Sequence, residues 1–298
     1  MATPYITPDI LINAPTGISW ETIPNYDSTL TEQLAEQTNI CWRASHFIDT
    51  YCNQPLRSTL DTEEVLGPNY RMTIDQHGLV RVISSRWPVT EIVSLQYAAS
   101  FAVPPTWQTI PVTSSYIEAS SAVDGGVSTI AAAGPSAILI APGYISWAAG
   151  RRGYRLQMTY NNGYPHAGIT ANVSSGASTI TVDDTTGVVG RYMTVYDGAS
   201  TETVRVASAS TTTGSGTITL TSPTVFAHAA SIQRPLIIST LPAVVQQAAI
   251  FYATYITMTR GVTATTVQSI GGGVSSGGGS KEMLEDCKSI LDAYRRVI

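Results

Sequence analysis

The stretch LIISTLPAVVQQAAIFYATYITMTRG, residues 236–261, decides how the chain reads. Pro242 stands where a helix begins, because its missing N–H falls among amides that no intrahelical carbonyl reaches, and Gly261 is a natural stop. Val245, Ala248, Ala249, Tyr252, Tyr255, Ile256 and Thr259 recur at spacings of three and four and form one apolar stripe. The opposite face carries Val244, Ile250, Phe251 and Met258, with Gln246 and Gln247 as its polar members. No residue from Leu236 to Thr259 bears a formal charge. A helix on a monomer's surface shows a charged side, whereas one that is neutral all round is covered on more than one side. Its length approaches the ~20 residues of a membrane span. Adjacent glutamines, several threonines and the lack of a basic cluster at either flank speak against that reading. The pattern predicts a helix packed both on its own domain and on a neighbouring copy. Val244, Val245, Phe251, Tyr252, Tyr255 and Met258 are its expected interface residues.

Composition points the same way. Of 298 residues 43% are hydrophobic, but only 12% are charged, about half the usual ~25%. Ser, Thr, Ala and Gly fill the deficit, which implies β-structure and extensive subunit contact. A net charge of −5 gives no basic field for gripping DNA or a membrane surface. Cys41, Cys52 and Cys287 are an odd number without close pairing; Cys41 and Cys52 lie three turns apart on one predicted helix, too far to bridge. They read as core thiols of a protein made in a reducing cytoplasm. Met1 to Pro4 lacks the basic and apolar regions of a secretion signal, so secretion is not expected.

Along the chain, Tyr5 to Pro24 is broken by prolines and reads as an extended arm or short helical turns. Thr29 and Glu32 form a capping box for a long helix whose seam is Leu30, Leu34, Thr38, Cys41, Ser45, Ile48 and Cys52. Short strand patterns follow, with Asp75-Gln76-His77-Gly78 as a hairpin turn and a Gly/Ser/Ala-rich centre over 120–134. From Gly168 to Gln233 β-branched residues alternate with turns, including Asp197-Gly198, and read as an inserted small β-barrel or sandwich. Residues 261–280 are rich in glycine and uncharged, a linker or long loop. Ser280 caps a final helix with an apolar side of Leu284, Cys287, Ile290, Leu291, Tyr294 and Val297, and Arg295 and Arg296 suit its C-terminal end.

The expected fold class is α+β. A helical adaptor core with a small strand region (1–167 and 234–260) carries an inserted all-β barrel or sandwich (168–233), then a linker (261–280) and a terminal helix (281–298). Chemistry is hard to place on this frame. His46, His77, His166 and His228 have no partner at metal-ligand spacing. No serine sits in a nucleophile elbow, and no positive partner is predicted close to Cys41. Asp183 and Asp184 read as turn-formers, and Asp61, Glu63 and Glu64 as a solvated face. Arg151, Arg152 and Arg155 form the basic cluster, as suited to an acidic subunit surface as to phosphate. Neither an enzyme nor a cofactor is expected.

The order of elements resembles the head-to-tail adaptor proteins of long-tailed bacteriophages, also called connector or head-completion proteins. The matching features begin with Ile6-Thr7-Pro8 and the helix from Leu30 to Cys52. Trp87-Pro88-Val89 followed by Ile92 and Leu95, and Tyr160-Asn161-Asn162-Gly163-Tyr164-Pro165, come next. Leu241-Pro242-Ala243 opening a helix that ends near Arg260, and a last helix closing on Tyr294-Arg295-Arg296, complete the set. The resemblance covers roughly residues 1 to 165 and 235 to 298. It implies a ring of twelve copies beneath the portal that continues the DNA channel without sequence-specific binding. It also implies a downstream neck or tail-terminator partner, a place in the virion neck, and assembly in the host cytoplasm without a membrane. The terminal helix (Leu284, Cys287, Ile290, Leu291, Tyr294, Arg295, Arg296) would dock on the portal. The segment 168–233 departs from short adaptors. A second reading is therefore another neck, tail-completion or decoration protein whose β-insert binds a partner or a glycan.

Overall fold

The computed structural model describes residues 3–23, 27–99, 103–118, 136–145, 153–230, 235–259 and 278–296. Arg151, Arg152, Arg260, Gly261, Val297, the segment 120–134 and most of the Gly-rich stretch lie outside the described residues. The α+β expectation with a helical adaptor core is corrected. Strand exceeds helix at 34% against 28%, and among the described residues there are several sheets, one a closed six-stranded barrel, and four helices. The chain divides into two compact units, Met1–Leu56 with Pro165–Val297, and Arg57–Tyr164.

Helix α1 (Pro8–Asn13) starts at Thr7, whose hydroxyl accepts the Ile10 N–H at 3.3 Å, with Pro8 in the first turn where it needs no amide. Helix α2 (Leu30–Cys52) begins with a reciprocal capping box: the Glu32 N–H reaches Thr29 Oγ1 at 3.4 Å, and Glu32 Oε2 accepts the Thr29 N–H at 2.8 Å. Asn53, in the left-handed region at φ 55°, ends it. Gln37, Ile40, Cys41, Ala44, Ser45, Ile48 and Cys52 are buried, but Leu30 is 70% exposed, so the expected seam loses its first turn.

The unit 57–164 is where the expected "small strand region" grows into a structure of its own. Its strands are β1 (Thr59–Gly67), β2 (Met72–Ile74), β3 (Val80–Ile83), β4 (Val89–Ala99), β5 (Gln108–Ile110), β6 (Ser115–Glu118), β7 (Ala137–Ile140) and β8 (Tyr154–Asn162). They form two antiparallel sheets ordered β1-β8-β4-β5 and β2-β3-β7-β6. Period-two alternation turns Leu156, Met158 and Tyr160 of β8 and Leu95 of β4 toward the same core as Val80, Val82, Ile138 and Ile140 of the other sheet, making a sandwich. On edge strand β1, Asp61 and Glu63 share the inward side with Val65, while Leu60, Thr62, Glu64 and Leu66 face out. Arg86 meets Asp61 at 3.0 Å and Arg71 meets Glu63 at 2.8 Å. The acidic run is thus only partly the solvated face it resembles: two of its three carboxylates are half-buried in ion pairs. Inward charges on an edge strand also discourage pairing with a foreign strand.

The barrel follows: β9 (His166–Ile169), β10 (Thr179–Val182), β11 (Tyr192–Tyr196), β12 (Glu202–Ala209), β13 (Gly216–Leu220) and β14 (Leu236–Ser239). Closure runs β10-β13-β12-β11-β14-β9, so strands from both sides of the stretch 168–233 complete it. Ile180, Val182, Met193, Val195, Val206, Ile218 and Ile238 fill the interior. A barrel this small is packed solid rather than hollow. Helices α3 (Ala243–Thr259) and α4 (Gly278–Asp292) complete this unit and pack on each other and on α2.

Candidate functional site

Helix α3 has two sides. Val245, Gln246, Ala248, Ala249, Ala253, Thr254 and Thr257 are buried within the unit. The buried hydroxyls are satisfied locally: Thr254 donates to the Ile250 carbonyl and Thr257 to that of Ala253, both at 2.8 Å. Gln246, which looks like a polar-face residue, turns inward and is buried, and burial makes the Tyr196 hydroxyl proton harder to remove. On the other side Val244 is 49% exposed, Gln247 is exposed, and Phe251, Tyr255 and Met258 are half-buried. Of the six expected interface residues, four (Val244, Phe251, Tyr255, Met258) share this outward arc, Val245 is fully buried, and Tyr252 faces α2.

Tyr252 continues the apolar arc into an open groove of about 840 Å³ between α2 and α3, lined by Trp42, Arg43, His46, Phe47, Tyr252 and Ile256 among others. Phe47 and Tyr252 form its wall as a near-parallel stack, centroids 3.8 Å apart and planes 7° from parallel. Trp42 and Phe47 were not singled out in the sequence, because they lie off the buried seam of α2. The signal that marks them is a second stripe at 42, 46, 47 and 50 with two large aromatics. His46 and Arg43 are exposed there, and Arg43 reaches Glu36 at 3.5 Å.

The terminal helix lies elsewhere in this design. Cys287 and Leu291 are fully buried, Leu284, Ile290 and Tyr294 are half-buried, and this side packs inside its own unit. Its end is tied to α2: the Tyr51 hydroxyl donates to Asp292 at 2.6 Å, Gln54 to the Tyr294 carbonyl at 3.1 Å, and the Arg296 N–H to the Cys52 carbonyl at 2.8 Å. The Arg295 guanidinium lies 5.5 Å from the centre of the Tyr51 ring. Lys281, Glu282, Glu285, Asp286, Ser289 and Asp292 face outward, so the side open to a partner is polar.

Among the described residues, most buried groups that suggest chemistry are tied into the fold. His166 lies within the barrel wall with Nδ1 2.8 Å from Ser239 Oγ and Nε2 2.9 Å from the Pro4 carbonyl. The carbonyl can only accept, so Nε2 carries the proton and Ser239 donates to Nδ1. This has the form of a serine–histidine dyad, but Ser239 is 1% exposed and also accepts the Leu241 N–H, so the pair fastens the N-terminal arm. Asp183 does likewise, accepting the Thr3 hydroxyl at 2.5 Å and the Gly168 N–H at 2.6 Å. Asp184 accepts the Thr186 N–H at 2.9 Å as a turn-former. His228 stands between Asp197 and Glu202 on opposite ring nitrogens, an arrangement that leaves no point common to all three. His77 is exposed in its turn, and Arg155 pairs with Glu64 at 3.1 Å. Burial pushes the Cys52 and Cys287 thiols up to about 12 and Cys41 higher still, which disfavours the reactive thiolate.

Among the described residues no cluster of three or more His, Cys, Asp or Glu side chains is arranged to hold a metal ion, and no helix is long and apolar enough to cross a membrane. Comparison with family models, curated proteins and solved structures finds no match.

Proposed function

We propose that this chain is a structural subunit of a phage neck: a head-to-tail connector that joins its own copies in a ring beneath the portal and continues the DNA channel. The observation that carries the reading is the uncharged outward arc of α3, running from Val244 through Phe251 and Tyr255 to Met258 and on into the aromatic groove. Copies that each carry −5 repel one another, so a contact between them is best made where charge is lowest, and this helix has none. The occupant of the arc is therefore a second copy. The mildly acidic chain suits a passage that lets DNA slide rather than holding it. Portal and tail-side neck proteins would meet other surfaces, the polar outer side of α4 among them.

The test uses the purified full chain. Light scattering and electron microscopy should show closed rings that co-sediment with portal. A monomer at every concentration up to about 100 μM, without portal affinity, overturns the reading. One observation favours the second reading, a decoration or tail-completion protein: Val225 and Phe226 project from the barrel, 67% and 41% exposed. Loss of particle binding on changing these two residues, with ring assembly intact, would support it.

A further inference from the structure

His228 is fully buried, with Nδ1 3.0 Å from Asp197 Oδ2 and Nε2 2.8 Å from Glu202 Oε1. A hydrogen bond between a ring nitrogen and a carboxylate oxygen needs one proton within it. A neutral imidazole brings one and two carboxylates bring none. Both contacts are hydrogen bonds only when the three groups together hold one further proton. Whether the ring or a carboxyl carries it, the count belongs to the cluster.

Glu202 has a second duty. Oε2 accepts the Val225 N–H at 2.9 Å and Oε1 the Phe226 N–H at 3.1 Å. The exposed apolar tip is thus held by the carboxylate that faces His228. The backbone of His228 is fixed separately, through reciprocal bonds with Val173 at 2.9 and 2.8 Å. The loop base is anchored whatever the proton count, while the tip hangs on Glu202.

We infer that the Asp197–His228–Glu202 cluster is a proton-operated latch that ties the backbone of the exposed Val225–Phe226 tip to β12 through Glu202. Asp197 comes from the end of β11 and Glu202 from the start of β12. Val173 contributes backbone and an apolar side chain. Of the cations on these strands, Arg205 lies three residues along β12 with its guanidinium over the Tyr192 ring, 5.5 Å from its centre, and Arg191 precedes β11 at the end away from Asp197. When the added proton leaves, two carboxylates flank a ring with a single N–H, and one of them meets a lone pair. Glu202 relieves this by swinging away, and both tip amides lose their acceptor.

Amide hydrogen exchange on the ¹⁵N-labelled full chain, followed as pH is raised from about 5 to about 8, tests this. After correction for intrinsic rates, the protection of Val225 and Phe226 should fall about tenfold as pH rises, the scale of losing one charge-assisted hydrogen bond. The Val173 amide should hold constant. His228→Gln should bring the tip to its high-pH protection throughout and remove the dependence. A flat wild-type profile, or a variant that keeps the wild-type profile, overturns the latch. Should the variant not fold, the wild-type profile decides alone.

Discussion

Val244 offers a perturbation whose effects on folding and on assembly have opposite signs. It is the second residue of α3 and 49% exposed, so Val244→Glu leaves the interior of the copy untouched. A carboxylate in the first turn of a helix faces unpaired N–H groups and gains about 0.3–1 kcal/mol. The isolated copy should therefore unfold at the same urea concentration as wild type or slightly above it. In the contact between copies the ledger reverses. Covering the exposed half of a valine is worth roughly 1 kcal/mol, and this is lost. Removing an unpaired carboxylate from water adds about 3 kcal/mol more. Together these weaken each contact by about 4 kcal/mol, roughly a thousandfold in dissociation constant. Val244→Ala loses only part of the first contribution, about 0.5 kcal/mol, and should weaken association about twofold. Sedimentation velocity over a concentration series, alongside urea unfolding of the dilute protein, measures both. Glutamate-bearing protein that assembles at wild-type concentrations, or that loses assembly only in step with folding, refutes the assignment of this face.

Other outcomes follow from groups inside the fold. Cys52 and Cys287 should resist iodoacetamide until urea unfolds the chain; labelling of the folded protein at the unfolded rate, read by mass spectrometry, would contradict their burial. Deleting residues 281–298 removes Leu291 and Cys287 from their packed sites and should lower stability by about 3 kcal/mol or more. An unchanged urea midpoint would show instead that α4 is a detachable docking element. For Glu202, burial alone would raise the carboxyl, but the Val225 N–H, the His228 ring and the Phe226 N–H together outweigh it and hold it below its usual range. A folded value below the unfolded one gives stability that is present above the unfolded value, near pH 4.3, and lost as pH falls through the folded one. Urea stability should therefore drop on the acid side of about pH 4, less steeply in Glu202→Gln; equal acid limbs would refute this.

Local signals were legible where one short stretch contains both partners. Thr29 and Glu32 stand three apart and cap α2 as their spacing implies, and Asp75 to Gly78 closes the β2–β3 turn with Gly78 at φ 85°. The uncharged run 243–259 reads as a helix, though which of its two glutamines turns inward depends on packing against elements distant in sequence. Strand β1 is hidden because Asp61, Glu63 and Glu64 break its apolar alternation, and the arginines that pair with them, Arg86, Arg71 and Arg155, come later in the chain. The sandwich is hidden for the same reason: β1 and β4 are joined through β8, which comes much later in the chain. The groove lies between two helices whose sequence seams point elsewhere, so its aromatics look like ordinary partial exposure. The latch unites residues 197, 202 and 228, and no motif links them.

The seam between β9 and β14 sets the order in which this polypeptide can mature. His166 meets a partner 73 residues further on, Ser239. The neighbours β11 and β12, and β12 and β13, adjoin in sequence and can zip as soon as they leave the ribosome, whereas the cylinder stays split until its final staves have emerged. Throughout that interval the nascent chain carries a curled sheet with two raw margins. The interval between the emergence of β13 and that of β14 therefore governs how long those margins stay open to a neighbouring nascent chain.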